Sequence, residues 1–252
     1  MDVIGHRGGA ALGPENTLAA IEAGLAAGAD GVEVDIRMTA DGALVLMHDP
    51  DVDRTTNGTG RIDDSTLEQI RALDAGYRFS LDAAHPYRGA GIIVPTLEEV
   101  LERVPPERLM VIEVRGHPWE AGHDPSEPVA HAAAALLSET EKCRVVVSSF
   151  NPIALQVVRE AAPGVRTAVL THPAFDLGSN LGAAVSGGHD ECHVPASLLD
   201  AAFVSEAHAA AKRVVAWTVQ DQDVLRGFAL WGVDGVISDD PRAAQEALRR
   251  SD

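Results

Sequence analysis

Short β-branched runs alternate with Ala- and Leu-rich stretches along the chain, and that alternation predicts the elements. Residues 3–6 read as a strand, and residues 17–27 as a helix with Asn16 ahead of it as a cap. Residues 31–36 form a second strand. Residues 43–47 continue it after Asp41-Gly42, a hairpin-turn signal. A helix over 96–104 carries Thr96 and Glu99 at capping-box spacing. A strand at 109–114 and a helix at 126–138 follow.

The second half keeps the rhythm. Strands are expected at 144–148, 166–170, 191–194, 214–217 and 235–237, and helices at 153–162, 198–211, 221–231 and 241–250. Pro241 sits in the first turn of the last helix, where its missing N–H costs little. The pattern makes eight strand-then-helix units, the fifth helix being poorly defined. Strict β–α alternation implies a parallel sheet. Eight units in 252 residues fit a closed (β/α)8 TIM barrel in one domain, 1–252. The competing architecture is an open doubly wound sheet, but no Gly-x-Gly-x-x-Gly follows a strand.

One stretch breaks the rhythm. Residues 49–95 are long and turn-rich, with Thr55-Thr56-Asn57-Gly58-Thr59-Gly60 and one short helix near 66–73. They read as a small subdomain inserted after the second strand, on the catalytic rim.

Charge narrows the partners. The net charge is −18, from 38 acidic and 20 basic residues. Such a field opposes nucleic acid and stable association with anionic membranes. A phosphate-bearing substrate needs local positive charge or a bound cation. Lys142 and Lys212 are the only lysines, and neither follows a strand end, so a Schiff-base mechanism has almost no candidate. Cys143 and Cys192 are too few for a disulfide framework and read as free thiols. No leader-like stretch and no apolar run of membrane-spanning length is visible, so a soluble cytoplasmic enzyme is expected. No feature sets an oligomeric state.

The candidate chemistry lies at strand ends. Residues two apart on a strand share a side, so Glu33 and Asp35 face one way and Val32, Val34 and Ile36 the other. Glu113 and Arg115 repeat the spacing on a later strand. Three carboxylates there suit one hard divalent cation, Mg2+ or Ca2+, or else form a salt-bridged acidic rim. His6 and His48 end separate extended runs and suit an acid–base pair, although either could be a satisfied core histidine. Arg7 and Arg115 offer planar donors to phosphate oxygens, or partners to Glu15, Glu33 and Glu113.

The order of these groups resembles a known family. His6-Arg7-Gly8, Pro14-Glu15-Asn16-Thr17, Glu33-Val34-Asp35-Ile36 and His48-Asp49-Pro50 are similar to motifs of the glycerophosphodiester phosphodiesterases. So are Arg54-Thr55-Thr56-Asn57-Gly58-Thr59-Gly60, Pro95-Thr96-Leu97-Glu98-Glu99, Ile112-Glu113, Ser148-Ser149-Phe150-Asn151, Ala216-Trp217-Thr218-Val219 and Asp234-Gly235-Val236-Ile237-Ser238-Asp239. The resemblance implies a (β/α)8 barrel with an insertion after the second strand. It implies a divalent cation on Glu33, Asp35 and Glu113, His6 and His48 as general base and acid, and Arg7 on the phosphate. Glu15 would support the His6-Arg7 pair or the metal site, and Trp217 would line the pocket near the glycerol.

Two departures from the family stand out. Arg115 replaces the usual Lys, and the loop 116–125 carries His117, Trp119, Glu120, His123 and Asp124. The implied reaction is hydrolysis of a small-molecule glycerophosphodiester to glycerol 3-phosphate and an alcohol. Lysophospholipase D-like action on lysophospholipids is the nearest rival, kept open by Tyr77, Phe79, Leu81 and Tyr87. A non-catalytic glycerophosphodiester-binding barrel is the rival from another class.

Overall fold

The computed structural model describes residues 1–139, 144–174 and 176–249. Eight parallel strands close on themselves: β1 (Asp2–Gly5), β2 (Gly31–Met38), β4 (Leu109–Val114), β5 (Arg144–Ser149), β6 (Arg166–Leu170), β7 (Glu191–Pro195), β8 (Arg213–Trp217) and β9 (Gly235–Ser238). The sheet runs β1-β9-β8-β7-β6-β5-β4-β2, and pairing of β1 with β2 shuts the ring. The short β3 (Leu44–Leu46) lies antiparallel on the far end of β2, with Ile36 opposite Leu46 and Met38 opposite Leu44. This is the (β/α)8 TIM barrel, not the open sheet.

Between the strands run α1 (Leu18–Ala26), α2 (Leu67–Arg71), α3 (Leu97–Arg103), α4 (Pro128–Ser138), α5 (Pro152–Ala161), α6 (Leu177–Ser186), α7 (Ala201–Ala209), α8 (Gln222–Trp231) and α9 (Pro241–Arg249). The expected capping box is present on α3, where the Thr96 side chain accepts from Glu99 N and the Glu99 carboxylate accepts from Thr96 N. The poorly defined fifth helix is α6, capped by Asp176. Gly178 and Gly182 interrupt its apolar period, which hid it in the sequence.

Alternation on the strands sorts the side chains into two cores. Val32, Val34, Ile36, Met110, Ile112 and Val114 point outward into the layer between sheet and helices. Ile4, Leu109, Val111, Val146, Ala168, Val215 and Ile237 fill the barrel interior. Glu33, Asp35 and Glu113 take the inward direction, above that plug and towards the carboxyl ends of the strands. A third cluster, with Val45, Met47, Val52, Ile62, Ile70, Ala75 and Val94, gives the inserted segment an apolar centre of its own.

Two local expectations are corrected. The first strand stops at Gly5, and His6–Gly8 form one 3-10 turn with Arg7 in the left-handed region (φ 50°). Close packing drives this. A Cβ on Gly24 would lie 2.0 Å from the Gly8 carbonyl oxygen, so only glycine lets α1 press against the turn. The cap of α1 is Thr17, whose hydroxyl accepts from Ala20 N at 3.3 Å. Asn16 is left-handed (φ 56°) and turns its amide inward instead.

Cys192 is buried and free, its thiol pushed up to about 12 by burial, so it is an inert core residue. Cys143 lies outside the described residues. Among those described, no helix is long and apolar enough to cross a membrane.

Candidate active site

Parallel register places Asp35 directly beside Glu113. One carboxylate oxygen each from Glu33, Asp35 and Glu113 lies within 4.8 Å of the other two, and all three side chains are buried. Asn16 holds Asp35 from below, its amide donating to Asp35 Oδ2 at 2.8 Å and accepting from Asp35 N at 3.0 Å. Glu33 Oε2 accepts from Arg7 N at 2.8 Å, a bond that needs the 3-10 turn.

Burial, together with the neighbouring Asp35 charge, pushes the Glu33 carboxyl well above the usual range. Burial acts the same way on Glu113, but the Arg115 guanidinium and His117 outweigh it and hold Glu113 low. Three buried acids at this spacing, one of them driven towards protonation, form an all-oxygen donor set whose charge Arg7 and Arg115 offset only in part. They fit a hard divalent cation.

Each predicted imidazole is held by a carboxylate. His6 Nδ1 is 2.6 Å from Asp239 Oδ1, and His48 Nδ1 is 2.6 Å from Asp49 Oδ1. That leaves Nε2 of each ring for a ligand. Burial disfavours charge on His6, yet the Asp239 hydrogen bond and the Glu33 charge overcome it and raise its pKa. On His48 burial prevails and lowers the pKa, reinforced by Arg115 and Arg7. Asp49 itself is held at about 2, chiefly by Arg54 and His48 acting against burial.

The arginines are anchored rather than loose. Arg7 Nη1 donates to Glu15 Oε1 at 2.6 Å, and its Nε lies 3.7 Å from Asp35. Arg115 pairs with Glu113 through Nη1, which also lies 3.7 Å from Asp35.

A cavity of about 350 Å3 opens over this group, lined among others by His6, Arg7, Glu33, His48, Glu113, Arg115 and Trp217. Asp35 sits beneath it against Glu113, and Glu15 stands behind Arg7, outside the lining. Trp217 is half-buried at the end of β8 and meets Phe150 edge-on at 5.9 Å.

Several participants escaped the sequence reading. Arg54 bridges Asp49 (Nε, 2.5 Å) and Glu15 (Nη1 and Nη2, 2.6 and 2.7 Å), tying the His48 side of the site to the Arg7 side. Arg37 donates from Nε to the His48 carbonyl at 2.9 Å and grips Glu120 with both terminal nitrogens at 3.0 and 3.2 Å. For Asp49 and Asp239 a signal existed, since each is a carboxylate at or just past a strand end. For Arg54 the only signal was its place at the head of a family-like motif, and for Arg37 there was none, because the partners of both are distant in sequence.

Fold and site define a class: a barrel hydrolase with a carboxylate cage and paired His–Asp dyads at the carboxyl mouth of its strands. The model of the glycerophosphoryl diester phosphodiesterase family matches residues 6–243, and the chain belongs to that family. A glycerophosphodiester phosphodiesterase of Caldanaerobacter subterraneus is 34% identical over 257 residues, covering 98% of both chains. An Oleispira antarctica phosphodiesterase, solved in complex with the product sn-glycerol-3-phosphate, superposes with a TM-score of 0.85 at 27% identity, over 99% of this chain and 97% of that one. The glycerophosphodiester phosphodiesterase of Agrobacterium tumefaciens gives 0.80 at 26% identity, over 97% and 99%.

Proposed function

We propose that the protein hydrolyses glycerophosphodiesters to glycerol 3-phosphate and an alcohol. The observation that carries this reading is the buried trio Glu33, Asp35 and Glu113, within 4.8 Å of one another, at the floor of a cavity also lined by two Asp-held imidazoles. Family membership and the product bound to the Oleispira relative support it. Residues 1–252 then act as one phosphodiesterase domain, with 49–95 as an insertion that supplies Asp49 and Arg54.

The carboxylates would hold one divalent cation, Mg2+ or Ca2+, which supplies Lewis-acid polarisation of the phosphoryl group and offsets charge on the oxygens. Arg7 binds the phosphate with the fork edge left free by Glu15. Trp217 packs against the glycerol. His6 and His48 take and give the proton through Nε2 while Asp239 and Asp49 fix each ring by Nδ1.

In the order the family implies, His6 takes the proton as general base and His48 gives one as general acid; a two-step route through a cyclic phosphate would then use each imidazole in both directions in turn.

Purified protein with glycerophosphocholine, and glycerol 3-phosphate as the readout, tests the reading. His6→Ala and His48→Ala should each lose about 10^2–10^4 in kcat. Near-wild-type turnover in either variant refutes the assignment. Chelation should abolish activity, and Mg2+ or Ca2+ should restore it.

A further inference from the structure

The cavity wall away from the carboxylates is aromatic, and the reaction proposed above does not use all of it. From Trp217 the strip passes to Phe150 (centroids 5.9 Å, planes at 81°) and on to Trp119 (6.0 Å, 68°). All three rings line the cavity that holds His6 and Arg7. Trp217 belongs to the glycerol end, so the corner between Phe150 and Trp119 continues outward, where the departing alcohol must lie.

Trp119 is held out in the open. It is 54% exposed, while His117, on which it stacks at 5.0 Å and 28°, is only 3% exposed. His172 braces it edge-on at 5.4 Å. The loop beneath is tied down: Glu120 N donates to the His117 carbonyl at 2.8 Å, and Arg37 grips the Glu120 carboxylate. A large ring fixed at a cavity mouth without being buried is arranged for contact with a ligand.

We infer that Trp119 and Phe150 form a subsite for a quaternary-ammonium leaving alcohol of the choline type; this rests on the phosphodiesterase reading of the same cavity. Indole and phenyl faces attract a weakly hydrated cation that can form no hydrogen bonds. The chain's net charge of −18 gives a field that favours a cationic leaving alcohol over an anionic one. An acyl chain fits less well, since a cavity of about 350 Å3 is of headgroup size and its aliphatic lining reduces to Leu170, Pro173 and Ile237.

The test compares glycerophosphocholine with glycerophosphoglycerol, which has a neutral leaving alcohol. Wild type should favour the choline ester by about tenfold or more in kcat/KM. Trp119→Ala should lose about tenfold to thirtyfold on the choline ester, mainly through KM, and at least fivefold less on the glycerol ester. Trp119→Phe should keep most of the preference.

Tetramethylammonium chloride titrated against intrinsic tryptophan fluorescence, with NaCl as the control, gives a readout independent of turnover. Its saturable quench should disappear in Trp119→Ala. Equal losses on both esters, an unchanged preference in Trp119→Ala, or a Trp119-dependent preference for lysophosphatidylglycerol, which has an acyl chain but no cationic alcohol, each overturns the subsite. Failure of wild type to cleave any glycerophosphodiester, with the quench intact, overturns the proposed function instead.

Discussion

Arg54→Ala separates the working of the site from the stability of the fold. Arg54 has 46% of its side chain exposed, yet it joins Asp49, the partner of His48, to Glu15, the partner of Arg7. Two half-exposed ion pairs contribute about 0.2–1 kcal/mol each. The variant should therefore lose at most about 2 kcal/mol, a fall in Tm of roughly 4–8 °C for a chain of this size.

Activity should respond far more strongly. Without Arg54, Asp49 and Glu15 face each other as unbridged anions, and both the His48 imidazole and the Arg7 guanidinium, which we propose binds the phosphate, lose part of their support. A misplacement of about 1 Å at reacting groups can cost roughly a hundredfold. Loss of Arg54 should also let the Asp49 pKa rise from about 2, though not far enough to protonate it at neutral pH, so the defect is geometric.

We expect kcat/KM on glycerophosphocholine to fall between about tenfold and a hundredfold. Arg54→Lys should fall in between, since one ammonium cannot span both carboxylates. On a Glu15→Gln background Arg54→Ala should cost less than it does alone. Turnover within twofold of wild type, in a variant whose Tm has dropped as expected, refutes the coupling.

Other outcomes follow from the same geometry. Saturating Mg2+ or Ca2+ at about a hundred times Kd should stabilise the protein by about 2.7 kcal/mol, a rise in Tm of roughly 5–11 °C by differential scanning fluorimetry, and Glu113→Gln should remove most of it. Asp239→Asn takes away the hydrogen bond and charge that raise the His6 pKa, so the limb of the pH–rate profile governed by His6 should move to lower pH; an unmoved limb counts against the dyad. Glu191, buried among His193, Arg166 and Arg213, has a folded pKa depressed by those partners against the effect of burial. Its stabilisation is thus present above its unfolded value of 4.5 and lost as pH falls through the folded value, so acid unfolding of Glu191→Gln should be shallower below about pH 4.5.

What the sequence revealed follows physical range. Period-two alternation on β2 and β4 separated Glu33, Asp35 and Glu113 from the outward apolar set, because strand geometry is local. Capping at Thr96 was legible for the same reason. The Asn16 error shows where locality ends: Asn has cap chemistry, but its amide is claimed by Asp35, nineteen positions away. The expected strand end at His6 failed because contact between Gly8 and Gly24 forces a turn that no short window contains. The supporting arginines are long-range in the same sense, since Arg37 reaches Glu120 across 83 positions and Arg54 reaches Glu15 across 39.

Arg115 ties these observations together. A lysine at this position would bring a compact charge with free rotation. The guanidinium instead pairs with Glu113, reaches 3.7 Å to Asp35, and extends its other nitrogen to 3.7 Å from Glu120. Glu120 is in turn held by Arg37, whose Nε fixes the His48 carbonyl. The longer side chain therefore connects the carboxylate cage to the loop that presents Trp119. Arg115→Lys should shorten that connection, leaving Glu120 to Arg37 alone, and so loosen the Trp119 loop while the three carboxylates keep their places on the strands. A weaker preference for a cationic leaving alcohol in Arg115→Lys, with the Mg2+-induced rise in Tm retained, is the result that distinguishes this linkage from simple charge replacement; loss of the metal response with an unchanged headgroup preference contradicts it.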